Sequence, residues 1–422
     1  MPFDLPVPSF SSLDAADLRQ AGRDVLGLAL MDARNHTLHL MAHYEEALAA
    51  DKLAVPRLPE LNPPLWELGH VGWFQERWIG RNLQRHQGSR CDPQASTLAS
   101  LQPHADRWWD SSRVPHDSRW ALDLPTLADT KAYLLATLES TLELLAKTPD
   151  EDDALYFYRL ALFHEDMHGE AFLYMAQTLG LPLRLMLPVP AVAREPLWVP
   201  ATRWRLGLEA GHGFTFDNER PAHEVAVPEF EIDAQPVNWS QYVEFVADGG
   251  YDRPEFWLPA GWDWLQEKAR SEGRRAPRHV EQIGVARAGG QGAVLQTLFG
   301  QTQRRAGEQP AMHLSWWEAD AWCRWAGRRL PSEVEWELAA HTAARRGFRW
   351  GEVWEWTGST FFGYPGFAAD PYRDYSEPWF GTHKVLRGAS FATRARLQSP
   401  KYRNYFLPGR DDIFCGFRSC AL

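Results

Sequence analysis

Two histidines, His164 and His168, stand four residues apart in the segment FHEDMHGEAF, whose apolar spacing predicts a helix. One helical turn puts both imidazoles on the same face, close enough to bind one metal ion. A third histidine, His70, lies among apolar residues in the middle of another predicted helix. Because helical bundles build metal sites from inward-facing side chains, these residues predict a metal centre in a bundle core.

The same motif admits other interpretations. With fifteen histidines in the chain, a pair spaced by four can arise by chance and bind nothing. HEDMH also matches the HExxH pattern of zinc peptidases, whose glutamate is the general base, but the Gly-rich and Trp-rich second half offers no peptidase scaffold. In the metal interpretation, Glu165 and Glu170 are expected to accept a hydrogen bond from a ligand histidine and orient its ring.

Four segments have the apolar spacing of long helices: residues 13–50, 65–83, 126–147 and 152–179. The first is predicted as one helix that a glycine at either of two places could break. Residues 84–124 are predicted as a loop, and Gly180 with Pro182 ends the last helix. Long helices with short links predict an up-down four-helix bundle.

The composition changes at Pro188, where a proline-rich stretch indicates a linker. Beyond it lie short β-like runs, such as HEVAVPEFEID, and short helices, such as SWWEADAWCRWAG and SEVEWELAAHTAA. The sequence therefore predicts an α+β protein with a helical domain at 1–187 and a mixed domain at 188–422.

The overall composition excludes several classes of partner. The net charge of −11 and a pI of about 5.8 argue against nucleic acid and anionic membranes and favour a small neutral or cationic ligand. The sequence shows no apolar run that would span a membrane and no signal peptide, which predicts a cytoplasmic protein. The four cysteines lack CxxC spacing and are expected to be reduced thiols. Many of the 21 tryptophans could form cages for cations.

Two groups of segments carry a family resemblance. LGHVGWFQERW and FHEDMHGEAF resemble the DinB-like four-helix domain of the sulfoxide synthases of ergothioneine biosynthesis. PAMHLSWWEADAWCRWAGRRLPSEVEWELAA and GEVWEWTGSTFFGYPGF, with VLRGASFAT and CGFR, resemble the C-type-lectin-like, formylglycine-generating-enzyme-like domain fused to it. The resemblance implies that His70, His164 and His168 bind Fe(II). Zinc would occupy the same ligands but supply no electrons.

Several positions depart from the family members that use gamma-glutamylcysteine. The residue before the second helix histidine, commonly Gln, is Met167. A late motif similar to RNWD, which in the family binds trimethylhistidine and the dipeptide's charged groups, here contains Asn404, Tyr405 and Phe406. A ring and an amide are thus retained for the cationic substrate, and Arg410 remains as an anion contact. The acidic position, however, has become Phe406.

The aromatic segment after VWEWT lies where the family often has a tyrosine that acts in the O2 steps. Phe361 and Phe362 stand where that tyrosine is expected, and Tyr364 is the nearby phenol. The resemblance therefore implies Tyr364 as the catalytic candidate, with the two phenylalanines as substrate contacts.

Three arginines, Arg107, Arg113 and Arg119, lie in the segment RWWDSSRVPHDSRW. A solvated charged loop is the ordinary interpretation. Family members recruit an arginine from this region for their thiol substrate, and Arg119 is the residue predicted to do so here.

These departures favour a donor less charged than a dipeptide, because an ammonium group without its acidic partner is costly to bury. They predict the selenium-using branch of the family, which joins hercynine to a selenosugar with O2 on the way to selenoneine. The alternative is an ergothioneine-type sulfoxide synthase that uses gamma-glutamylcysteine or cysteine. A lectin-like binding module, which would not need the histidines, and a zinc-dependent thiol transferase, which would not need O2, stay open.

Overall fold

The computed structural model describes residues 16–50, 52–211, 213–284 and 293–422. Its first part contains five α-helices: α1 (Arg23–Ala47), α2 (Pro64–Gln75), α3 (Ala105–Trp109), α4 (Leu127–Leu145) and α5 (Asp152–Leu179). The predicted first helix begins ten residues later than expected, because Gly22 has an extended backbone and a separate 3-10 turn precedes it. Residues 13–15 lie outside the described residues. The α5 helix ends as predicted at Gly180, which has a left-handed backbone.

A buried arginine joins the four long helices. Arg34 of α1 donates to the Glu165 carboxylate in α5 (2.9 Å), to the Gln75 side chain at the end of α2 (2.8 Å) and to the Leu134 carbonyl in α4 (2.5 Å). Removing one partner of such a buried pair is strongly destabilising, so these bonds fix the relative rotation of the helices.

The second part is a mixture of short helices and four small sheets. Its helices are α6 (Trp239–Ala247), α7 (Pro259–Glu272), α8 (Trp316–Trp325) and α9 (Glu333–Thr342). The strand orders are β1-β4-β13-β8, β11-β10-β9-β12, β2-β3 and β5-β6-β7. Their bounds are β1 Leu197–Val199, β2 Thr202–Leu206, β3 His223–Val227, β4 Phe230–Ile232, β5 Val280–Gly284, β6 Ala293–Leu298, β7 Gln301–Arg305, β8 Arg328–Arg329, β9 Trp354–Thr360, β10 Lys384–Gly388, β11 Asn404–Phe406, β12 Cys415–Phe417 and β13 Cys420–Ala421.

This arrangement confirms the predicted α+β class, with a helical N-terminal part and a mixed second part. All four cysteines are free and buried, as expected. Helix α3 was not predicted, because residues 84–124 were expected to be a loop. Helices α6 and α7 were not predicted either, although Asn238 and Gln241 form a capping box at the start of α6. None of the described helices is long and apolar enough to cross a bilayer.

The second part of the chain is bonded directly to α5. Arg396 donates two hydrogen bonds of 2.7 Å to the buried Asp166 carboxylate. Glu170, one turn further along, accepts hydrogen bonds from Trp354, Ser390 and Thr393. The helix that carries two of the candidate metal ligands therefore also forms the contact with the second part.

Candidate metal centre

Three histidines from two helices converge, as the sequence predicts. His70 of α2 and His164 and His168 of α5 have ligand nitrogens within 4.8 Å of one another, and the Nε2 atoms of the two α5 residues are 3.2 Å apart. Metal–nitrogen bonds of about 2.1 Å put neighbouring ligand atoms roughly 3 Å apart, so this spacing fits a single metal ion.

Hydrogen bonds fix which ring nitrogen faces the centre. The His168 Nδ1–H donates to Glu67 Oε1 (2.5 Å), and the His70 Nδ1–H donates to the Trp109 carbonyl (2.7 Å). Both rings therefore carry their proton on Nδ1 and direct the Nε2 lone pair toward the shared point. The Nδ1 atom of His164 is buried and has no hydrogen-bond partner among the described residues.

Burial keeps the His70 and His164 imidazoles neutral, which is the form that binds a metal. Desolvation, followed by the charge of His168, lowers the pKa of His70 to about 3. The same two causes hold the pKa of His164 well below its ordinary value. These two ligands are thus ready to bind a divalent cation near neutral pH without first losing a proton.

Aromatic rings pack against His70 and His164, the two buried histidines of the centre. Trp66 stacks on His70 with ring centroids 4.9 Å apart, and Trp73 lies on it at 5.6 Å. Phe74 stacks on His164 at 3.5 Å. These rings are supplied by the apolar run of α2 and limit how either imidazole can rotate.

A series of hydrogen bonds from Arg119 through Asn62 holds Glu67, the residue that accepts from His168. Asn62 donates from its side-chain nitrogen to Glu67 Oε2 (2.8 Å), and Arg119 donates to the Asn62 side-chain oxygen (2.7 Å). The Arg119 guanidinium also lies over the Trp66 ring at 3.7 Å. Predicted as a substrate contact, Arg119 is engaged here with residues that hold the histidines.

The prediction that Glu165 or Glu170 orients a ligand histidine is wrong. Glu165 pairs with Arg34, and Glu170 accepts from the second part of the chain. The carboxylate that orients a ligand histidine is Glu67, which binds His168 and lies three residues before His70 on the same helix. A charged residue within the apolar run LWELGHVGWF was the signal that could have identified it, because a buried carboxylate requires a partner.

Among the described residues, the predicted Tyr364 makes no ring contact or hydrogen bond with His70, His164 or His168. Its ring lies under Arg403 at 4.0 Å, beside His223, and its hydroxyl donates to Glu333 (3.4 Å). A tyrosine that does contact one of them is Tyr372, whose ring centroid lies 6.2 Å from that of His164 in an edge-on arrangement. Sequence reasoning missed it because it lies eight residues further along the same loop.

The other predicted substrate contacts belong to α5 and to the second part of the chain. Met167 Sδ accepts a hydrogen bond from Tyr402 (3.3 Å), which packs the residue before His168 against the second part. Asn404 and Tyr405 lie in β11, and the Tyr405 ring stacks on Phe361 at 3.9 Å while its hydroxyl donates to a backbone carbonyl.

Four further residues have surroundings that bear on their predicted roles. Arg410 pairs with Asp412 and lies over the ring of Phe406 at 5.0 Å. Phe362 is exposed, as is Arg107. Arg113 is exposed too and pairs with Asp110 (3.2 Å).

Comparison with known proteins matches both parts of the chain. Residues 29–175 match the DinB superfamily, and residues 187–352 match the Sulfatase-modifying factor enzyme 1-like domain. Hercynine oxygenase of Mycolicibacterium smegmatis is 32% identical over 94% of this chain and 98% of that protein, and that of Mycobacterium tuberculosis is 31% identical over 93% and 97%. Formylglycine-generating enzyme of Streptomyces coelicolor is 27% identical over 48% of this chain and 84% of that protein. The expected combination of two domains is confirmed.

Proposed function

The chain belongs to the family of the hercynine oxygenases, and we propose that it joins hercynine to a selenosugar in an iron- and O2-dependent oxidation that leads to selenoneine. The observation that carries this proposal is the convergence of His70, His164 and His168, with no carboxylate among the ligand atoms. Bound there, Fe(II) would supply electrons and up to three free positions for O2, the chalcogen and the hercynine imidazole.

The choice of a selenosugar rests on Phe406 and Arg410. A dipeptide needs a carboxylate for its ammonium group and a free cation for its own carboxylates. Phe406 offers no charge, and the Arg410 guanidinium is already paired with Asp412. A sugar has no charged groups to neutralise, so moving it from water into the surroundings of Phe406 and Arg410 costs less free energy.

A sulfur-using function is the second candidate. The relatives that span nearly the whole chain are named hercynine oxygenases, and that name specifies no selenium donor. In that case gamma-glutamylcysteine or cysteine would take the place of the selenosugar, and the substitutions at Met167 and Phe406 would leave the donor unchanged.

Within this function we assign Tyr372 the role of holding a proton beside the reacting atoms. Burial, and then the negative charges of Asp374 and Asp110, raise the pKa of Tyr372 above its ordinary value. A phenol is protonated at neutral pH with or without this increase, so Tyr372 is in the form that can donate a proton. His70 and His168 would hold the metal through Nε2, and the stacked rings of α2 keep water from the faces of His70 and His164.

The donor is tested by a competition under air with Fe(II)-loaded protein, hercynine, a 1-selenosugar and gamma-glutamylcysteine, followed by mass analysis. We expect a higher kcat/KM for the selenosugar and no product with zinc-loaded protein. A much higher kcat/KM for gamma-glutamylcysteine would reject the selenium function and support the sulfur-using enzyme. Product formation without O2 would reject both.

The role of Tyr372 is tested by Tyr372→Phe, with Tyr364→Phe as the matched control. General acid catalysis contributes about 10²–10⁴-fold, so Tyr372→Phe should lower kcat in that range while leaving hercynine affinity unchanged. Tyr364→Phe should keep the wild-type kcat. The reverse result would return the catalytic role to Tyr364.

A further inference from the structure

The segment 370–376 carries Tyr372 and is bonded to α5 at its beginning. The Asp370 carboxylate accepts a hydrogen bond from the Tyr156 hydroxyl of α5 (2.8 Å). Tyr156 lies eight residues before His164, which is about two turns of the same helix. The start of the segment is therefore attached to the helix whose histidine the Tyr372 ring contacts.

One carboxylate, that of Asp217, binds both ends of this segment. Its Oδ1 accepts from the Ser376 hydroxyl (2.5 Å), and its Oδ2 accepts from the Asp370 backbone N–H (3.4 Å). Asp217 and Ser376 are buried, so losing their hydrogen bond would leave a polar group without a partner, which is costly. The carboxylate thus closes the segment into a loop whose two ends are held together.

The short turn that contains Asp217 is itself fixed to other parts of the chain. Arg19 donates two hydrogen bonds to the Glu219 carboxylate (2.7 and 2.9 Å), and Arg403 donates to the Asn218 carbonyl (2.7 Å). These bonds connect the turn to the residues before α1 and to those before β11. Asp217 is therefore a fixed point to which the segment is attached.

The Tyr372 side chain depends on this attachment, because its own contacts are between aromatic rings. The ring lies edge-on to Phe74, with centroids 4.9 Å apart, and edge-on to His164 at 6.2 Å. Edge-on ring pairs add little to the area that they bury and do not fix the direction of a hydroxyl. The position of the phenol is thus set by the backbone of its segment.

We propose that Asp217 is a positioning residue for Tyr372, because by binding residues 370 and 376 it keeps the phenol beside His164. The inference rests on the proposed function for the role of Tyr372 as a proton donor. Asp217 binds the segment, so its effect on the reaction is transmitted through Tyr372.

The first measurement is hydrogen–deuterium exchange of the segment 370–376 in the full-length protein. Asp217→Asn replaces the charged acceptor, and Ser376→Ala removes its donor while leaving the buried aspartate in place. Hydrogen bonds to charged groups are strong enough that the amides of the segment should exchange at least about tenfold faster in either variant. Glu377→Gln changes the exposed residue next to the segment, is the matched control and should exchange as the wild type does.

The second measurement separates positioning from a general loss of stability. Asp217→Asn should lower kcat by about as much as Tyr372→Phe, with the KM for hercynine unchanged. The double variant should be no slower than Tyr372→Phe alone, because holding the segment has no further effect once the phenol hydroxyl is absent. A residue that only stabilised the fold would add its own loss to that of Tyr372→Phe.

Two results would overturn the inference. Exchange of the segment could be unchanged in both Asp217→Asn and Ser376→Ala, or the losses of kcat could add in full in the double variant. If Tyr372→Phe keeps the wild-type kcat, the proposed role of Tyr372 fails, and the exchange measurement alone decides whether Asp217 holds the segment.

Discussion

Replacing Glu67 by Gln tests whether the metal centre depends on the carboxylate behind His168. Glu67 has one oxygen facing the His168 Nδ1–H and the other facing the Asn62 side-chain nitrogen, and both neighbours are donors. A glutamine offers one acceptor and one donor group, so one of these two hydrogen bonds must be lost. The bond that stays is no longer assisted by charge.

The structure gives a magnitude for this loss. Hydrogen bonds to charged groups contribute about 1.5–3 kcal/mol and neutral ones about 0.5–1.5 kcal/mol. The substitution should therefore weaken the interaction that orients the His168 ring by about 1–2 kcal/mol. Since 1.4 kcal/mol is a factor of about ten, the metal dissociation constant should rise roughly tenfold. This agrees with the roughly 10–100-fold effects typical of residues that hold a ligand histidine.

The measurement is the Fe(II) dissociation constant under anaerobic conditions, obtained by competition with a chromogenic chelator. Glu143→Gln, an exposed glutamate on α4, is the matched control and should bind metal as the wild type does. An unchanged constant in Glu67→Gln, with unchanged thermal unfolding, would refute the reasoning. The His168 ring would then be held by packing alone.

Three further outcomes are expected. Gly69→Ala places a Cβ about 2.1 Å from the Trp109 indole, so it should destabilise the protein and weaken metal binding by displacing the Trp109 carbonyl that holds His70. Gly27→Ala, whose new Cβ has its nearest atoms at 3.7 Å, should instead stabilise α1 by about 1 kcal/mol. Denaturant unfolding and chelator competition measure both variants. Burial raises the pKa of Glu318 from 4.5 to about 7, so between these pH values the folded protein keeps a proton that the unfolded chain has lost. The free energy of unfolding should therefore fall by on the order of 3 kcal/mol as the pH rises through this interval. Glu318→Gln should flatten this pH profile in denaturant titrations. His164→Ala should abolish metal retention while the circular dichroism spectrum stays that of a folded protein, and full activity in this variant would exclude the three-histidine site.

Much of the metal centre follows from local rules. The spacing of His164 and His168 fixes their common face in any helix, and the glycine and proline after α5 fix its end. His70 was identifiable because a histidine among apolar residues of a core-facing helix needs a partner. These features depend on residues within one or two helical turns, which is the range over which sequence patterns are informative.

What the sequence did not indicate depends on contacts between distant segments. Tyr372 contacts the His164 ring although about two hundred residues separate them in the sequence. The conformation of the loop that carries both tyrosines determines that Tyr372, and not Tyr364, makes this contact. Arg119 belongs to a charged loop that looks solvated, yet its guanidinium lies on Trp66 and hydrogen-bonds Asn62. No spacing within the chain encodes either contact.

The polar residues of α5 explain why the glutamates were misassigned. His164 and His168 share one face, and Asp166 and Glu170 share another about 200° around the helix, because each residue advances by about 100°. The second face is bonded to the other part of the chain, while Glu165 points to α1. A helix held by buried charges on two sides cannot rotate about its axis, so the histidine face is fixed toward α2. The acidic residues nearest to the ligands in sequence thus set the rotation of the helix, and the residue that hydrogen-bonds a ligand comes from the facing helix.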